Sequence, residues 1–178
     1  MTCDDERTML RYFIGIEPPA DQRSRIADVM GELGDPWPVP HVTLKSPHGL
    51  TPDLNWLPGV RGVAARAPRT RVRIGSANTF GDRVLYLAVE GEGLEPLHRA
   101  LDEAVRRGQT GGEATSERPF VAHLTLIVAR PDEPLPPYHH LTAKLADLDP
   151  FDVAALTVFQ REEPRSHYHA WAQLLLEG

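Results

Sequence analysis

Two histidines, each followed two positions later by a threonine, have the residue types and spacing for acid–base chemistry. Val39-Pro40-His41-Val42-Thr43-Leu44 and Val121-Ala122-His123-Leu124-Thr125-Leu126 agree at four of six positions, and the other two exchange small or aliphatic residues. Histidine is the side chain whose ordinary pKa suits both the base and the acid role near neutral pH. Two imidazoles facing each other across a small cleft can take a proton from water and deliver another to a departing oxygen. A threonine hydroxyl on the same face donates to an oxygen held between them, where negative charge grows during attack. A phosphate diester suits this arrangement. One imidazole activates water for in-line attack on phosphorus, the other protonates the leaving oxygen, and no metal is required.

Both copies are β-branched and apolar enough to be strands, whose side chains alternate between faces. Alternation places His41 and Thr43 on one face, with Val42 and Leu44 on the other. It places His123 and Thr125 together in the same way, above Leu124 and Leu126. Carried one step further, it puts Lys45 beside the first pair and Ile127 beside the second, so that one side offers a cation and the other an aliphatic surface. A single H-x-T-L is a common pattern whose histidine is more often a surface or satisfied core residue. Two copies nearly half a chain apart are what carries the functional reading.

The elements around the motifs follow in order. Leu10–Glu17 is rich in β-formers and stops at Pro18-Pro19, a first strand. Ile26, Val29, Met30 and Leu33 recur at helical spacing up to Gly34. Asp35-Pro36-Trp37-Pro38 is a stiff turn into the first motif strand, and a weaker helix lies between Asp53 and Ala67. Arg71–Ala77 and Val84–Glu90 form a hairpin about Gly81-Asp82, and Leu94, Leu97, Leu101 and Val105 mark a helix ending at Gly108. Gln109–Glu117 is a polar, Gly-rich loop before the second motif strand, Phe120 to Ala129. A Pro-rich connector (131–137), a short helical segment (141–148) and two strands, Val153–Gln160 and Ala170–Leu176, close the chain, with residues 1–8 a tail. Helices mixed with largely antiparallel strands argue an α+β fold, and the matched order around each motif suggests an internal duplication. The chain reads as one domain over residues 1–178.

Composition narrows the function. With 19 Lys+Arg against 25 Asp+Glu, the net charge of −6 disfavours clamping of long nucleic acid, where phosphate neutralisation supplies most of the affinity. It allows a small anionic substrate in a local basic pocket. The one cysteine, Cys3, has no partner for an internal disulfide. No stretch resembles a secretory signal, and no apolar run approaches the roughly 20 residues that span a bilayer, so the cytoplasm is the expected location.

The paired motifs resemble the signatures of the 2H phosphoesterase superfamily, and within it the RNA 2′,3′-cyclic phosphodiesterase branch, also called the LigT or 2′-5′ RNA ligase family. Arg11-Tyr12-Phe13-Ile14-Gly15-Ile16 looks like that family's opening strand, Pro40–Lys45 like its first signature, and Phe80–Leu87 like its F-x-x-x-R-V-L-W-L strand with Tyr86 at the tryptophan position. The second signature departs from the pattern, since Ile127-Val128 stands where Ala-Arg is frequent and an arginine follows only at Arg130. The resemblance implies one bilobal domain of pseudo-twofold symmetry, two sheets flanked by helices around a central groove. It also implies hydrolysis of 2′,3′-cyclic phosphate ends of RNA or nucleotides, without metal, cofactor or stable protein partner. His41, Thr43, His123 and Thr125 are the expected catalytic residues. Lys45, Arg11 and Arg130 are candidates for phosphate, and Tyr12 and Tyr86 for a nucleobase. Phe80 reads better as core. Rival readings are a 2H enzyme of cyclic or 2′-5′-linked signalling nucleotides or of ADP-ribose cyclic phosphate, and a non-catalytic binding module of the same fold. His48, His98, His139, His140, His167 and His169 complete no recognised metal spacing and read as solvated loop residues. Gly111-Gly112 lacks a phosphate-loop spacing, and no G-x-S-x-G elbow is present.

Overall fold

The computed structural model describes residues 10–35, 38–108, 119–162 and 166–178. The tail with Cys3, the Pro36-Trp37 turn, the Gly-rich loop and the turn at Pro164 lie outside or partly outside the described residues. Among these residues, β1 (Arg11–Ile16) leads through Pro18-Pro19 into α1 (Ala20–Glu32). That helix buries Ile26, Val29 and Met30 along one stripe, and Gly34 turns the chain away with φ +102°, where a Cβ would be strained. β2 (Val42–Lys45), α2 (Leu57–Arg66), β3 (Thr70–Phe80), β4 (Val84–Glu90) and α3 (Leu94–Arg107) follow. β5 (His123–Val128), the short α4 (His139–Thr142) with a 3-10 turn after it, β6 (Phe151–Val153), β7 (Ala155–Arg161) and β8 (His169–Leu175) complete the order.

All strand pairs are antiparallel, and the strands lie in the order β6-β3-β4-β5-β2-β1-β7-β8. The expected α+β class and duplicated order hold. The two four-stranded halves meet edge to edge between β2 and β5, where Val42↔Leu124 is the register pair. Each motif strand is thus the inner edge of its own half, and the pseudo-twofold relation runs through that bridge. Tyr12, Ile14, Ile16, Val42, Leu44, Leu85, Leu87, Leu124 and Leu126 point to the helix-covered face and form one core with the inner faces of α1, α2 and α3. The opposite face of the central strands carries His41, Thr43, His123 and Thr125.

The chain end differs from its sequence reading. The segment expected to begin one strand at Val153 is broken at Ala154 into β6 and β7, which pair with β3 and β1 in opposite halves. One residue spans only about 7 Å between its neighbours, so the sheet curls and brings β6 of one half close to β7 of the other. Nothing in local propensity marks that break, because both sides of Ala154 are good strand sequence.

Candidate active site

The two motifs adopt matched geometry. His41 stands one residue before β2 and His123 opens β5, on either side of the Val42/Leu124 bridge. In each, Nδ1 bonds the carbonyl two residues back: Val39 O at 2.6 Å for His41, Val121 O at 2.7 Å for His123. A carbonyl can only accept, so Nδ1 carries the hydrogen and Nε2 is left for a substrate. Pro40 favours this local turn because the residue before a proline is held extended. Thr43 and Thr125 follow on the same face, both half-buried.

Aromatic rings wall both sides. The His41 ring lies 4.5 Å from Phe13 and 5.4 Å from Phe159, which stack on each other at 4.4 Å, and Tyr168 meets Phe13 edge-on at 4.7 Å. The Arg161 guanidinium lies 5.0 Å over the Tyr168 ring. On the other side Phe80 stacks on Tyr86 at 4.1 Å, and both present themselves to the edge of His123, at 5.0 and 5.4 Å. Phe80 is therefore an exposed member of the cleft, which corrects the sequence reading that placed it in the core. Tyr86 occupies the cleft because its register partner is Thr125.

Two candidates of the sequence reading lie elsewhere. Lys45 is buried, donates to His48 O at 2.7 Å and pairs with Asp102 of α3 at 3.3 Å. The cause is a register shift: Gly15 pairs with Thr43 but Ile14 pairs with Lys45, so Leu44 is an extra residue. The bulge reverses the alternation and turns Lys45 to the helix side beside core-facing Ile14. The second motif repeats the device, since Tyr86 pairs with Thr125 and Leu85 with Ile127. Ile127 thus opposes a core residue and does not share the face of His123. Tyr12 is also core, 2% exposed, with its ring edge-on to Trp56 and Trp171 at 5.5 and 5.6 Å. Phe13, the next residue, faces the cleft instead. Arg11 stays at the exposed start of β1 on the Phe13 face, and Arg130 is exposed and paired with Glu133 at 3.5 Å. Of the remaining histidines, His139 and His140 belong to α4, His169 opens β8 and His98 sits on α3, so these four are not loop residues. Among the described residues no group of three or more His, Cys, Asp or Glu side chains is placed to hold a metal.

His41 also feels the charge of His123. Burial is the main influence on His41 and lowers its pKa below the ordinary 6.5; the charge of His123 acts in the same direction. The bond to Val39 O, Glu17 and Asp35 oppose the shift without cancelling it.

A family model of the 2′-5′ RNA ligase superfamily matches residues 18–165. The chain belongs to that superfamily. Solved structures agree with this membership at the level of fold. TT0787 of Thermus thermophilus superposes with a TM-score of 0.70 at 20% identity, over 94% of this chain and 98% of that one. E. coli LigT complexed with 3′-AMP gives 0.63 at 19% identity, over 95% and 99%, and LigT complexed with ATP gives 0.62 at 19%, over 96% and 99%. No curated protein matches the chain in sequence at a significant level. The 2H reading taken from the paired motifs therefore holds, and the family supports a phosphodiesterase or ligase type of enzyme.

What this superfamily member adds to its motifs is the wall of Phe13, Phe159 and Tyr168 and the Phe80 platform. Phe13 was within reach of sequence reasoning, because alternation from His41's partner strand separates it from Tyr12. Phe159 and Tyr168 were not, since only the β1–β7 pairing brings Phe159 beside Phe13. Next to His41 and Thr125 a cavity of about 810 Å³ opens between the end of α1 and residues 127–136, reached also by Arg130 and Tyr168.

Proposed function

We propose that this protein hydrolyses 2′,3′-cyclic phosphate ends of RNA or nucleotides to phosphomonoesters, the 2′-phosphate being the expected product. The observation that carries the reading is the matched pair of imidazoles, each oriented through Nδ1 by its own backbone and each followed by a threonine on the same face. His41, kept neutral by burial, takes a proton from water at Nε2 as that water attacks phosphorus. The bond from phosphorus to the 3′ oxygen breaks, and His123 gives its Nε2 proton to that oxygen. Thr43 and Thr125 donate to the non-bridging oxygens as their charge rises. The scheme needs no metal, so EDTA should leave turnover unchanged. With a 5′-hydroxyl in place of the attacking water, the same residues and the same broken bond to the 3′ oxygen allow 2′-5′ ligation.

Tyr86 and Phe80 together offer a stacking surface for the nucleobase, and stacking accepts any base. Arg130 can exchange its exposed pairing with Glu133 for a phosphate, since such surface pairs hold weakly; Arg11 marks the other rim of the same face. LigT, of the same fold, has been solved with 3′-AMP and with ATP, which supports a nucleotide in a cleft of this kind. The cavity beside His41 favours one further reading, a 2′-5′-linked or cyclic signalling nucleotide or an ADP-ribose cyclic phosphate with a second group to lodge there. A panel of these compounds beside 2′,3′-cyclic nucleotides and cyclic-phosphate RNA, read by product release, separates the two. His41→Ala and His123→Ala should each slow the preferred reaction on the order of 10²–10⁴-fold. Full activity in either variant would refute the two-histidine mechanism.

A further inference from the structure

His98 lies on α3, outside the cleft, yet it touches the first motif strand and the segment that leads into the second. Its Nδ1 lies 2.6 Å from Leu44 O. Its ring stacks on Phe120 at 4.2 Å with an angle of only 10°. Leu44 is the extra residue of the β2 bulge and has no register partner on β1 or β5, so its carbonyl takes a donor from a side chain instead of a ladder partner. The bulge comes directly after Thr43 and sets how that threonine and His41 present themselves. Phe120 stands three residues before His123 and one before Val121, whose carbonyl orients His123. One turn further along the same helix, Asp102 also holds the bulge through its ion pair with Lys45 at 3.3 Å.

We infer that His98 is a positioning residue, a clamp that sets the two catalytic strands relative to each other on the side of the Val42/Leu124 bridge where pairing has ended. The inference rests on the two-histidine reading of the cleft. β2 and β5 share one register pair, so their backbones alone do little to keep the imidazoles at a fixed separation. In-line transfer demands that both meet one phosphate, and a displacement of about 1 Å can lower a rate by roughly 10²-fold. His98 supplies the missing constraint with two separable contacts, a hydrogen bond to the first strand and a stack on the approach to the second.

Separability gives the test. His98→Asn keeps an N–H near the Nδ1 position but no ring to stack, whereas His98→Phe keeps the stack and loses the donor. Both full-length variants are compared with wild type by melting temperature, by kcat and KM on a 2′,3′-cyclic nucleotide, and by the imidazole NMR resonances of His41 and His123. We expect His98→Phe to move the His41 resonances and His98→Asn those of His123, with kcat falling by roughly 10- to 10²-fold and KM little changed. Unchanged resonances and kcat in both variants overturn the inference. So does a loss of activity that merely follows a loss of melting temperature while both imidazoles keep their wild-type signals. A wild type inert on every cyclic phosphate, with the resonances still dividing between the variants as stated, refutes the hydrolase reading and leaves the clamp standing.

Discussion

At the scale of single residues, the two histidines share a hydrogen-bond pattern but not an environment. His41 is packed against Phe13 and Phe159, and that desolvation disfavours its imidazolium. The folded protein therefore binds this proton less readily than the unfolded chain. As pH falls below 6.5, the unfolded state takes up the proton first, and stability declines; above 6.5 the contribution is level. Melting curves across this range should show the decline in wild type and a shallower one in His41→Ala. The acidic limb of the pH–rate profile should accordingly lie below 6.5, where a base with a lowered pKa begins to protonate. Tyr86 offers a separate check on substrate binding. Removing its ring takes away one member of the Phe80 stack while leaving both imidazoles in place. Tyr86→Ala should weaken substrate binding by about 1–3 kcal/mol, read as a raised KM on a cyclic nucleotide.

At the scale of elements, the bulges decide which residues reach the cleft. Both follow the threonine of their motif, and both turn the next side chain to the helix face. On the first copy that side chain is Lys45, matched by Asp102; on the second it is Ile127, packed against the core. The duplicated backbone is thus kept while the outer contacts diverge. Gly15 shows how tightly the first bulge is built. A Cβ there would lie 2.6 Å from Val42 O, a backbone atom that cannot move without shifting His41's strand. Gly15→Ala should cost roughly 1–3 kcal/mol of stability, measured by denaturant unfolding, and should lower kcat more than its stability loss explains.

At the scale of the whole molecule, two halves share one core, one bridge and the curl imposed at Ala154. We expect them to unfold as a single domain in one cooperative transition, with calorimetric and van't Hoff enthalpies in agreement. Leu124 is the sharpest probe, because it is fully buried and forms the bridge pair with Val42. Leu124→Ala should cost about 2–5 kcal/mol. Leu101→Ala, equally buried on α3 but away from the bridge, should cost a similar amount. Of the two, Leu124→Ala should lower kcat further at temperatures where both remain folded. Equal activity in the pair would show that the bridge does not set the cleft.

What the amino-acid sequence determined by itself was a set of candidate site residues and their approximate frame. Two H-x-T-L copies on strand-like segments named the four cleft residues, the helical spacings located α1 and α3, and the α+β class followed from the order. These are short-range patterns, written in residue types and in periods of two or 3.6. Tertiary structure alone decided the rest. Lys45, Ile127 and Tyr12 were misplaced because one extra residue in a ladder, or the choice of register, inverts every face beyond it. Phe159, Tyr168 and His98 came to the site through strand pairing and helix docking across more than fifty residues of chain. No local pattern encodes such a contact; it exists only once the core has closed.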